Sequence, residues 1–150
     1  MTETLALAPV TKSVHVGCDA ELAFRVFTRE IGSWWPLSRH SIHGEATTEV
    51  VWEEHEGGEV YELSNGDEKA HWARVLAWQP PSRLVIAWHV NPDTPEPTEI
   101  EVRFTPEGDG TRVDLEHRHW ERAGAGAAGM RDGYDGGWNT VLDAYAESLR

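Results

Sequence analysis

Apolar positions along this chain follow two periods, and the change from one to the other divides it. SVHVG at residues 13–17 alternates and predicts a first strand, after a flexible N-terminal arm over residues 1–12. Asp19 stands where a helix N-cap belongs, because its carboxylate can accept from the free backbone N–H groups of a first turn. Leu22, Ala23, Val26, Phe27 and Ile31 then fall on one stripe, which predicts a helix of about three turns that Pro36 brings to an end. From Thr48 onward the period is two. VVWEEH and EVYELSN flank a hairpin turn at Glu56, Gly57 and Gly58, and SNGDE marks a second turn leading into KAHWARVLAWQ. Pro80, Pro81, Ser82 and Arg83 turn the chain into LVIAWHV, and NPDTPEP at 91–97 is a longer loop. TEIEVRFTP and TRVDLEHRHW, joined through EGDG at 107–110, complete a meander of five or six strands.

The last segment returns to a helical period. Met130, Tyr134, Trp138, Val141, Leu142, Tyr145 and Leu149 recur at three and four residues, which predicts a long amphipathic helix over 127–150. Gly133, Gly136 and Gly137 each cost such a helix about 1 kcal/mol relative to alanine. Two readings account for them: a cavity or close backbone approach beside the helix, or a helix that bends or starts late. The order of elements predicts an α+β domain over residues 13–150, with helices gathered on one side of a curved antiparallel sheet. A long helix lying across a concave sheet cannot touch all of it, and a cavity belongs in the space between.

Alternation also says what faces that space. Val113, Leu115, His117 and His119 share one face of the last strand, so two imidazoles point inward. Ile100, Val102 and Phe104 form a second row and Leu84, Ile86 and Trp88 a third. Trp72, Leu76 and Trp78 form a fourth, interrupted by Arg74. With Tyr134 and Trp138 these rows outline an aromatic hollow holding a few polar groups, the usual makeup of a small-molecule site.

Composition narrows the partners. A formal charge of −13, with 13 basic residues scattered along 150, argues against nucleic acid or an anionic membrane. Cys18 is the single cysteine, which excludes a disulfide framework and a thiolate metal cluster. The first residues lack a basic signal-peptide region and no stretch is long enough to span a membrane, so a reducing cytoplasm is the expected location. Eight tryptophans against three Phe and three Tyr are a strong bias, and two stand together in IGSWWPLSRHSIHG at 31–44. Trp34 and Trp35 there either cover the cavity mouth or anchor the loop to the core. His40 and His43, with Glu45 nearby, have a spacing too unspecific to predict a metal, and no metal or cofactor is expected.

Three blocks in order carry a family resemblance: GGEVYE at 57–62, ARVLAWQPPSRLVIAW at 73–88 and TPEGDGTRVDLEHRHWE at 105–121. Together they resemble the START-like, or SRPBCC, superfamily, in the branch of homologues of the activator of the heat-shock-protein-ninety ATPase. The resemblance implies a helix-grip fold and a deep, largely apolar cavity between sheet and long helix, used by different members for lipids, polyketides or other hydrophobic molecules. Two departures stand out. The family pattern His, any residue, Gly, Trp reads His117, Arg118, His119, Trp120 here, and the co-chaperone's separate N-terminal client-gripping domain has no counterpart in this sequence.

The expected function is binding of an apolar small molecule, with Trp34, Trp35, Trp72, Trp88, Phe104, His117, His119, Tyr134 and Trp138 as the lining. The alternative is an enzyme on polyketide-like or aromatic substrates, with His117 as general acid/base because imidazole titrates near neutrality, assisted by Tyr134 or Glu62. A third reading is a chaperone-interaction module, and a homodimer is left open.

Overall fold

The computed structural model describes residues 7–91 and 93–150, apart from the side chains at 38 and 39. Seven strands, β1 (Val10–Val16), β2 (Thr47–Trp52), β3 (Glu59–Ser64), β4 (Lys69–Gln79), β5 (Arg83–Trp88), β6 (Thr98–Glu107) and β7 (Gly110–Arg118), form one antiparallel sheet. Its order is β1-β7-β6-β5-β4-β3-β2, so the meander from β2 to β7 runs neighbour to neighbour and β1 closes onto β7. Among the described residues four α-helices accompany it: α1 (Ala20–Phe27), α2 (Ile31–Trp34), α3 (Leu37–His40) and the long α4 (Ala127–Ser148). The sheet curls around α4, the helix-grip arrangement.

Strand β1 begins three residues earlier than its alternation suggested. Val10 pairs with His117 and Lys12 with Leu115, so residues 10–12 belong to the sheet; the part of the expected arm over residues 1–6 lies outside the described residues. Lys12 hid the pattern. It occupies an inward position between Val10 and Val14, its stem lying over the apolar face while its ammonium reaches Asp135 on α4 at 3.0 Å. At the other end of the pairing, a Cβ on Gly110 would run into the Val16 carbonyl, so only glycine lets β7 approach β1 there.

Asp19 caps α1, accepting from Leu22 N at 2.9 Å. The single helix expected through Ile31 is instead two. Thr28 turns its hydroxyl back onto the Phe24 carbonyl at 2.8 Å, the chain turns, and α2 starts afresh at Ile31. The break lets Trp34 fold back, its indole N–H donating to Val26 O at 2.7 Å.

Two β-bulges in β4 redirect side chains. One falls opposite the step between Val60 and Tyr61 and the other between Val75 and Ala77. Val75 therefore takes the inward position expected of Leu76, which is 43% exposed on the outer face. The core lies between sheet and helices and contains Leu84, Ile100, Val102, Leu115, Leu142 and Tyr145 among its buried members. Among the described residues, no helix is long and apolar enough to cross a membrane.

Candidate functional site

A hollow of about 420 Å³ opens where α4, the end of β5 and the α2–α3 region meet. Helix α4 supplies Met130, Gly133, Tyr134, Gly137, Trp138 and Val141, the three- and four-residue spacing that puts them on one face. Trp88 enters from the end of β5 and Val90 from the segment after it, and Trp35, His40, Ser41 and Ile42 from the opposite side. Three indoles frame it: Trp35 and Trp138 meet edge to face at 5.9 Å, and Trp88 lies 6.1 Å from Trp35 and 6.3 Å from Trp138. Gly133 and Gly137 leave the helix surface bare. A Cβ at Gly133 would meet nothing within 4 Å, and one at Gly137 only His40 Cε1 at 4.0 Å. The helix continues through both glycines, so it does not start late there, and both border the hollow.

Polar chemistry in this hollow centres on Tyr134. Its hydroxyl oxygen accepts from Trp88 Nε1 at 2.8 Å, which leaves the phenolic proton to be donated elsewhere. Burial pushes the phenol above its ordinary pKa, so it remains a donor at neutral pH.

His117 lies behind the hollow, not on it. The fully buried imidazole packs on Trp120 with centroids 4.0 Å apart. Trp138 Nε1 donates to its Nδ1 at 3.1 Å, which places the ring proton on Nε2, facing Thr98 Oγ1 at 2.7 Å. Both nitrogens are spent, and burial holds the pKa down to about 3. The general acid/base role considered for His117 is therefore incompatible with its placement: no lone pair or proton reaches a guest. His119 also departs from expectation. Strand β7 ends at Arg118, and His119 adopts a left-handed backbone, φ 65°, that breaks the alternation. Its side chain is 39% exposed and faces Glu99 at 3.5 Å and Glu121 at 3.6 Å, away from the cavity.

Glu62 is sealed within the protein and fully engaged. One carboxylate accepts from Ile42 N at 2.6 Å, His43 N at 2.7 Å, His43 Nδ1 at 2.8 Å, Thr47 Oγ1 at 2.9 Å and Trp72 Nε1 at 2.6 Å. Burial alone would raise its pKa, but these donors outweigh it and hold the group below the usual glutamate range. A carboxylate so saturated has no lone pair to spare for a substrate, so Glu62 does not serve as the catalytic assistant considered from sequence. His43 is thereby tied to Glu62, away from any shared site with His40.

Of the residues expected to line the cavity, Trp35, Trp88, Tyr134 and Trp138 do. Trp72 backs that wall, its ring 5.0 Å from Trp35 and 5.7 Å from Trp88. Trp34 is core, packed on Phe27 at 5.5 Å and Tyr145 at 5.0 Å. Phe104 lies among Phe24 and Phe27, at 5.1 and 5.8 Å. Both rings of the tryptophan pair are buried, and Trp35 shows one face to the hollow. Met130 and the two glycines were legible in the helical spacing, whereas Ser41 and Ile42 carry no signal in sequence. A second hollow of about 390 Å³ lies on the outer sheet face, where Glu101, Arg103, Asp114 and Glu116 are engaged in ion pairs.

Known proteins place this geometry in context. The chain is 33% identical to Txn09, an anthrahydroquino-gamma-pyrone synthase, over 95% of this chain and 97% of that one, with a TM-score of 0.62. It is 29% identical to CalC, a self-sacrificing resistance protein from Micromonospora echinospora, over 95% and 94% of the two chains, with a TM-score of 0.72. The Aha1 dimer from Colwellia psychrerythraea shares the fold, at 15% identity over 95% and 96% of the chains and a TM-score of 0.67. No curated protein matches significantly. Residues 18–149 match the family described as Activator of Hsp90 ATPase homolog 1-like protein, and the chain belongs to that family.

Proposed function

We propose that this protein binds a flat aromatic small molecule of polyketide type in the hollow between α4, β5 and residues 35–42. The observation that carries this reading is the triangle of Trp35, Trp88 and Trp138 beside two bare glycines, with the Tyr134 proton unspent. The parts of the three indoles that reach the hollow offer apolar contact to a planar ring system, and the glycines let it lie against helix backbone. The volume of about 420 Å³ falls within the roughly 300–1,000 Å³ of small-molecule sites. Tyr134 supplies one directional contact, suited to a carbonyl or phenolic oxygen. The likeness to Txn09, an anthrahydroquino-gamma-pyrone synthase, supports a ligand of this class.

Tryptophan-fluorescence titration with the dihydroxyanthraquinone alizarin tests the proposal. Saturable quenching is expected, and Tyr134→Phe, losing one hydrogen bond to the guest, weakens it about tenfold. Absence of saturable binding across a panel of anthraquinones and naphthoquinones would sink it.

A second reading, ring closure of an aromatic polyketide, is favoured by the 33% identity to a synthase. In it the hollow holds the substrate folded and Tyr134 donates to the carbonyl under attack, with no part for His117. Product formation followed by mass spectrometry, lost in Tyr134→Phe, separates this reading from binding alone.

A further inference from the structure

Residues 41–47 form a strap that runs from the wall of the hollow, where Ser41 and Ile42 line it, to the first residue of β2. Apolar packing holds this strap weakly. None of its side chains is fully buried, and Ile42 is 46% exposed. Hydrogen bonds hold it instead: Asn65 N donates to Ala46 O at 2.8 Å, and the strap's own donors at Ile42, His43 and Thr47 converge on Glu62. The same carboxylate accepts from Trp72, whose ring backs Trp35 and Trp88, so strap and aromatic wall share one anchor. Charge-assisted hydrogen bonds to a sealed anion are roughly twice as strong as neutral ones, and nothing in the packing of the strap replaces them.

We infer that Glu62 is a positioning residue for ligand exchange: its ionised carboxylate latches residues 41–47 in place, keeping Ser41 and Ile42 on the wall of the hollow, and release of that latch sets how fast a guest leaves. The inference rests on the hollow being a binding site, as proposed above. It adds a residue that touches no guest and acts through the backbone of Ile42 and His43.

Amide hydrogen exchange and stopped-flow dissociation of alizarin, both on the full chain, test it. In Glu62→Gln, one carboxylate oxygen becomes an NH₂ group facing backbone donors. The Ile42 and His43 amides then exchange at least about tenfold faster, the shift expected from losing one charge-assisted hydrogen bond, while β6 and β7 amides keep wild-type protection. Alizarin dissociates faster by a similar factor, with a smaller change in association. Thr47→Val removes the hydroxyl's hydrogen bonds to Glu62 and Ser41 and keeps the buried acid with its Ile42 and His43 donors, so it gives the same pattern at lower amplitude and serves if the Gln variant does not fold. Unchanged exchange at Ile42 and His43 in both variants overturns the inference. So does exchange that rises only together with loss of protection in β6 and β7, which marks a general structural role. Faster exchange with unchanged alizarin dissociation overturns the link to ligand exit. If the wild type takes up neither alizarin nor any other member of the anthraquinone and naphthoquinone panel, the proposed function fails, and the amide exchange still decides whether Glu62 latches the strap.

Discussion

A neutral histidine locked inside the protein makes its stability depend on pH. His117 donates to Thr98, accepts from Trp138 and is held down to about 3 by burial, so in the folded state it stays neutral at every pH well above that value. Once unfolded, it regains an ordinary pKa of about 6.5. Below that pH the unfolded chain binds a proton that the folded chain refuses, so stability falls as pH falls and the loss continues until the folded group also titrates. Between about pH 7 and about pH 5 this one group costs about 2 kcal/mol. Buried carboxylates act in a lower window. Burial alone would raise the Glu101 pKa, but Arg118, Arg83 and Arg103 outweigh it and bring the group down to about 2. Its contribution, like that of Glu62, is present above the ordinary glutamate range and is lost as pH falls through that range toward the folded value. Urea unfolding of the wild type and His117→Gln at stepped pH values isolates the histidine. The variant starts less stable by about 1–3 kcal/mol, because Trp138 and Thr98 lose their designed partner, but it lacks the wild-type slope between about pH 7 and about pH 5. Equal slopes in the two proteins, or an NMR signal showing His117 titrating near neutrality in the folded chain, would falsify the sealed placement.

Two further outcomes are expected. Gly133→Ala and Gly137→Ala each stabilise the ligand-free protein by about 1 kcal/mol, seen as a Tm rise of roughly 2–4 °C, since both positions are helical and a Cβ meets no clash. The same methyl groups intrude on the hollow, so alizarin binding weakens while stability rises; a gain in both would show that the glycines do not border the ligand. Asp19→Ala removes the cap on Leu22 N and lowers unfolding free energy by about 1 kcal/mol in urea titration, with alizarin affinity unchanged because α1 starts far from the hollow.

Elements whose side chains obey one period end to end were readable from the chain alone. The meander, the capped start of α1, the long amphipathic α4 and the α+β order of elements follow from alternation, helical spacing and turn residues, which are local properties of the backbone. Trp88, Tyr134 and Trp138 were reachable for the same reason, since each sits on an unbroken strand or helix face. The errors fall where tertiary contacts override the local period. Two bulges in β4 exchange Leu76 for Val75, Thr28 divides a stripe that reads as one helix, and a left-handed His119 turns an inward imidazole out toward Glu99. Lys12 shows the converse: a polar residue at an inward position, acceptable only because Asp135 on a helix more than a hundred residues away receives its charge. The chemistry of the site was decided at this second level too. Spacing puts His117 on the inner face and composition offers Glu62 as an assistant, but neither can tell a free base from one whose nitrogens are spent on Thr98 and Trp138, or a free carboxylate from one saturated by a distant strap. Those roles depend on donors brought in from other elements of the chain, and a hydrogen-bond inventory exists only once the chain has closed around it.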